Sequence, residues 1–211
     1  MAFRMRQSVI TASVVATLLA AGPAAAIDYG RSPLICLLAQ SESIVVSDVA
    51  TDGDRLQLGA VQEHIAGPPL KAKTTLSIRS SWDGPAATRK GTALLFLKRV
   101  PTAKGMAWAL AGPNRTGLLW IDGGSVPNAP VHIPGYSETV PTLSDILPAI
   151  RDVQACTRWK VSGAATYTSN FTCSPARRAR LLQTSRLHRT LLSIAERASQ
   201  KPGLRCVTSG L

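Results

Sequence analysis

Gly91-Thr92-Ala93-Leu94-Leu95-Phe96-Leu97 is a compact, mostly apolar run opened by a glycine, and it carries the strongest buried-strand signal in the chain. Turn signals bound it, with Asp83-Gly84-Pro85 and Arg89-Lys90-Gly91 before it and Gly112-Pro113-Asn114 after it. Upstream, Ile44 to Ala50 reads as a strand closed by Asp52-Gly53-Asp54. Leu56, Leu58 and Ala60 then alternate with polar residues towards Ile65, until Gly67-Pro68-Pro69 breaks the pattern, and Thr74 to Ile78 makes a third strand. Downstream, Met106 to Leu110 and Leu118 to Ile121 add two more. Six short strands separated by turns point to a small closed or partly open β-barrel of the OB-like kind.

Helical periodicity appears at three places. Leu34 to Gln40 suits a short helix or turn. Leu143, Ile146, Leu147, Ile150 and Val153 recur at helical spacing, with Pro148 expected near the helix start. Ser174-Pro175 opens a longer segment over 174–200, with serine as N-cap and proline at the first helical position. The fold class expected is α+β, mainly β: a barrel, then a disulfide-tied hairpin and an amphipathic helix.

The 211 residues are 45% hydrophobic and 17% charged, which excludes a disordered chain. Residues 1–26 resemble an export signal, with Arg4 and Arg6, an apolar stretch from Val9 to Ala21, and Ala24-Ala25-Ala26 as the cleavage site. Residues 27–155 carry 12 basic and 11 acidic side chains, whereas residues 156–211 carry ten basic ones and a single acid, Glu196. The chain therefore reads as a signal (1–26), a barrel (27–140), a connecting helix (141–155) and a basic, cysteine-bearing tail (156–211).

Export places Cys36, Cys156, Cys173 and Cys206 in an oxidising compartment, periplasmic or extracellular, where four cysteines imply two disulfides. Three connectivities exist. An unbroken helix over 174–200 is about 40 Å long, beyond the roughly 20 Å reach of the residues that return to Cys206. That disfavours Cys173–Cys206. Cys156 and Cys173 flank a hairpin turn near Gly163-Ala164 in the register that opposes Gly163 to Thr166, so Cys156–Cys173 with Cys36–Cys206 is the expected pairing.

Ser41-Glu42-Ser43-Ile44-Val45-Val46-Ser47-Asp48-Val49, the strand ending in Ala66-Gly67-Pro68 and the run from Gly91 to Leu97 together resemble netrin-like and tissue-inhibitor-of-metalloproteinase modules. The resemblance spans about residues 34–126 and implies an OB-like barrel. Inhibitors of that family chelate a protease metal through an N-terminal cysteine. The expected mature terminus here is Ile27, so that mechanism is not carried over.

Chemistry-bearing motifs are sparse. His64, His132 and His188 lack metal-ligand spacing, and neither a nucleophile elbow nor a phosphate-cradling glycine loop occurs. Asp122-Gly123-Gly124 reads as a hairpin turn, and Asp52 with Asp54 as a solvated one. No catalytic residue, metal or cofactor is assigned, and no small-molecule substrate is identified. An unrecognised hydrolase built on His64 or His132 stands as one alternative, a protease-inhibitor-like module as another. Trp82, Trp108, Trp120 and Trp159 either line a groove or pack inside, and strand alternation favours packing.

The basic helix is the main functional lead. Leu181, Leu187, Leu191, Leu192, Ile194, Ala195 and Ala198 share one face, with Arg178, Arg186, Arg189 and Arg197 opposite. Such a face suits an anionic membrane surface or an acidic protein. Nucleic acid is disfavoured, because the arginines lack interleaved aromatics for base stacking.

Overall fold

The computed structural model describes residues 34–52, 55–71, 74–77, 88–112, 116–127, 142–163, 165–200 and 202–206. Expectations for residues 1–26, Gly53, Asp54, Ile78, residues 82–85, Pro113, Asn114, His132 and Ala164 fall outside them.

Six strands form one antiparallel sheet: β1 (Ser43–Asp52), β2 (Arg55–Ala66), β3 (Thr75–Ser77), β4 (Arg89–Thr102), β5 (Gly105–Leu110) and β6 (Leu118–Trp120). The order is β3-β2-β1-β4-β5, with β6 also on β4. The long β4 makes this possible, since residues 97–102 pair with β5 and residues 93–95 with β6. All of Ala93–Leu97 is buried, so both faces of this strand are covered. Alternation divides the cover. Ala93, Leu95 and Leu97 join Val45, Val49, Leu56, Leu58, Leu76, Leu110 and Leu118 in a core made by strands alone. Leu94 and Phe96 face a second core with the helices.

The first core exists because the sheet curls over itself, helped by three register irregularities between β1 and β2. The expected barrel is not closed. The edge strands β3 and β5 approach each other, but no ladder joins them among the described residues. Hydrophobic alternation specifies which face is buried; it does not specify whether two edges exchange hydrogen bonds.

The helices cover the other face. Every residue of α1 (Leu34–Gln40) is buried. In α2 (Leu143–Cys156), Thr142 and Asp145 form a capping box at the start. Pro148 is the sixth residue of α2 and not near its start, so the helix forgoes one internal hydrogen bond. The buried faces of Ile146, Ile150 and Val153 hold the segment in place nonetheless.

The segment expected as one helix over 174–200 is two. α3 (Pro175–Thr184) ends at Ser185, and α4 (Arg186–Ala198) starts from it. Ser185 is extended (φ −154°, ψ 166°), and its side chain caps α4 by accepting from the His188 N–H. Leu187, Leu191, Leu192, Ala195 and Ala198 of α4 are buried in the shared core.

The hairpin of β7 (Thr157–Gly163) and β8 (Thr166–Phe171) carries the short β9 (Leu204–Arg205) on its outer edge. Gly163 opposes Thr166 as expected, but a bulge between Val161 and Gly163 shifts the rest of the ladder by one residue. The disulfides are Cys36–Cys206 and Cys156–Cys173. The connectivity is the expected one although the unbroken helix used to reach it is not present.

Cys36–Cys206 spans 170 residues and ties the last described strand to the buried α1, whereas Cys156–Cys173 spans only 17. In the chain-entropy picture, replacing the first pair by serines lowers the unfolding free energy by about 5 kcal/mol and the second by about 3 kcal/mol. Urea denaturation of the two double variants checks this order; an equal or larger loss at Cys156–Cys173 contradicts it.

Candidate functional site

A cleft of about 880 Å³ opens where the curled sheet meets α2 and the β7–β8 hairpin. Its sheet side is built from the turn after α1, the start of β1, the end of β2 and Lys98 and Arg99 of β4. Arg151 and Gln154 of α2 and Thr157, Arg158, Trp159 and Tyr167 of the hairpin form the other side. Gly67 shapes the rim. Its φ is +83°, and a Cβ there would lie 1.8 Å from the Glu42 carbonyl oxygen, so only glycine lets the chain pass.

Cations dominate the lining. Glu42 answers one of them by receiving Arg99 Nε at 2.6 Å, and Glu63 answers another through Arg151. Lys98 and Arg158 have no carboxylate partner among the described residues. Lys98 is partly buried, and desolvation lowers its pKa from the usual lysine value. The cost of holding that ammonium away from water is present at neutral pH, and it fades as pH rises from the lowered value towards the ordinary one. Desolvation raises the pKa of Tyr167, which keeps its phenol protonated and able to donate.

Two of the lining residues each carry a buried polar atom without a partner: Thr157 Oγ1 and Trp159 Nε1. Thr157 is 2% exposed. An unanswered buried donor costs about 1–3 kcal/mol, so the chain carries two such costs side by side. The cleft is thus rich in donors and positive charge and poor in free acceptors.

The expected arginine face is divided. Arg178 lies on α3, with its guanidinium 4.4 Å from the centroid of the Phe171 ring. Arg186, Arg189 and Arg197 are exposed on α4, and Arg189 Nε donates to the Leu182 carbonyl at 3.1 Å. The break at Ser185 is what separates Arg178 from the other three. Arg177 of α3 reaches Asp152 at 3.5 Å.

His64 Nε2 lies 3.2 Å from the Pro68 carbonyl at the sheet edge. A Ser–His–Asp chain does occur, built on His188 and not on His64. Ser185 Oγ is 2.8 Å from His188 Nδ1, and His188 Nε2 is 3.1 Å from Asp152 Oδ2. With a neutral imidazole whose Nε2–H donates to Asp152, Nδ1 accepts from the serine hydroxyl. The same hydroxyl caps α4, and neither Ser185 nor His188 lines the cleft. This chain of bonds fastens the α3–α4 break to α2.

Asp122 and Ser125 exchange backbone hydrogen bonds around Gly123 and Gly124, both at positive φ, so this segment is a turn. Trp120 is buried in the sheet with Arg89 stacked 4.2 Å over its ring. Trp159 is the described tryptophan that lines the cleft. Among the described residues, no three His, Cys, Asp or Glu side chains gather as a cation site. The cleft escaped sequence reading because its cations come from β4, α2 and β7, far apart in the chain. The one local sign was Lys98-Arg99 directly after an apolar strand. Searches against family models, curated proteins and solved structures return no match for this chain.

Ser185→Ala is expected to cost about 1 kcal/mol of stability, the usual worth of a serine N-cap. A fluorophosphonate probe is expected to leave Ser185 unmodified; labelling that depends on His188 would make the chain catalytic instead of structural.

Proposed function

We propose that this chain is an exported, non-catalytic binding module whose basic C-terminal region docks on an anionic envelope surface. The observation that carries the reading is how α4 divides its faces. Leu187, Leu191 and Leu192 are spent in the protein core, while Arg186, Arg189 and Arg197 point outward from a region whose single acid is Glu196. With its apolar face already buried, α4 has nothing to insert into acyl chains, so docking is electrostatic. Each arginine near an anionic surface adds about 1 kcal/mol, and salt screens the sum.

The signal-like residues 1–26 and the two disulfides support export. The resemblance over residues 34–126 and the curled antiparallel sheet support an open, OB-like module related to the netrin-like group.

Co-sedimentation with vesicles tests the docking. Purified protein should bind vesicles rich in anionic phosphatidylglycerol and leave neutral phosphatidylcholine vesicles in solution, with binding falling as salt rises from low to physiological. Arg186→Gln, Arg189→Gln and Arg197→Gln combined should weaken it about a hundredfold, as three contributions of roughly 1 kcal/mol imply. Equal binding by the two proteins would sink the proposal and turn the search to acidic protein partners.

A further inference from the structure

We propose that the cleft between the curled sheet and the β7–β8 hairpin binds a small organic anion with an apolar body, its charged head held by Lys98 and Arg158 and its body laid against Trp159.

Three independent features of the lining converge on that chemistry. The first is charge. Four cationic side chains line the cleft, and the two that have carboxylate partners leave Lys98 and Arg158 unanswered among the described residues. A half-desolvated ammonium facing a cavity is an arrangement that an anion relieves, since the Coulomb attraction grows as water is excluded.

The second is hydrogen bonding. Trp159 Nε1 can only donate, and it is buried with nothing to donate to. Thr157 Oγ1 is buried beside it in the sequence of the strand and is likewise unpartnered. Buried polar groups in folded proteins are nearly always satisfied, and the two exceptions here belong to residues that line one cavity, so an acceptor bound there has an unanswered donor close behind the wall. The Tyr167 phenol, also in the lining, supplies a further donor.

The third is shape and polarity. Ile44, Ile65 and Val161 line the same space, so the cleft offers apolar wall as well as charge. Val161 is 64% exposed, one of two large hydrophobic side chains so open to water among the described residues. A bare inorganic anion would leave that wall wet, whereas an amphipathic carboxylate or phosphate covers it. The site lies apart from α4: none of Arg186, Arg189 and Arg197 lines it.

Calorimetric titration with dodecyl phosphate and with dodecanoate, both below their micellar concentrations, tests the assignment. Inorganic phosphate and the uncharged dodecyl maltoside serve as controls. At least one amphipathic anion should bind with tenfold or greater preference over both controls. Lys98→Met should reduce its affinity at least tenfold while the far-ultraviolet circular dichroism stays unchanged. Trp159→Phe, which keeps a ring and removes the N–H, should reduce it several-fold and abolish the accompanying change in tryptophan emission. The triple α4 variant should bind as the parent does. Binding no tighter than to dodecyl maltoside, or unaltered by Lys98→Met, overturns the proposal; inorganic phosphate binding as tightly as the amphiphiles overturns the apolar half of it. A parallel titration with vesicles containing phosphatidic acid separates the sources. A Trp159-dependent emission change there identifies a membrane lipid as the ligand, and its restriction to free dodecyl phosphate or dodecanoate identifies a soluble one.

Discussion

Leu94, Leu95 and Phe96 have water on neither side, and the rest of the structure follows from covering both faces of the strand that carries them. Full burial of a leucine or phenylalanine side chain is worth about 1.5–3 kcal/mol, so leaving either face of β4 bare would forfeit much of a small protein's net stability. One face is covered by curling the sheet until Leu56, Leu58 and Leu76 of its far strands reach Leu95. The other is covered by α1, and α4, from the opposite end of the chain, packs against α1 and α2 in the same core. Cys36–Cys206 holds those ends together at α1, so the strand's second cover is also the place where the chain is cross-linked.

The break at Ser185 lies within this helical cover. Two shorter helices let α4 pack against α2 and β8 while α3 turns back against it, placing Arg178 over Phe171 and Arg177 near Asp152. The bend exposes backbone N–H groups at the start of α4, and Ser185 meets one of them. His188 and Asp152 then link the cap to α2. A serine, a histidine and an aspartate are joined in this way at the junction of three helices, away from the cleft.

The cleft is the remainder of the same construction. The helical cover and the hairpin meet the sheet along its β1–β2 end, and the space between them is lined by what each element happens to present there. Elsewhere the polar groups are well answered: Ser169 donates to the Ala195 carbonyl, and Ser47 donates to the Ala60 carbonyl at 3.0 Å. The unpartnered Thr157 and Trp159 atoms and the unpaired Lys98 depart from that economy at one location. Local departures of this kind, in a structure otherwise consistent with itself, are where function is to be looked for.

The sequence by itself determined the elements whose cause is local. The six strands, the hairpin about Gly163 and Thr166, the Ser174 cap and the buried leucines of α4 all follow from alternation, helical spacing and turn chemistry within a few residues. It also exposed the contrast between a nearly neutral body and a basic tail, because charge needs no fold to be counted. What only the tertiary structure decided depends on residues distant in the chain. Whether the edges β3 and β5 join is set by how far the whole sheet curls, and the place of α4 by its packing against α2 and β8. The cleft brings Lys98 near Arg158 and Trp159 across some sixty intervening positions. No periodicity records such a meeting, because each residue follows the pattern of its own strand, and only the packing of the hairpin against the sheet brings them to one cleft.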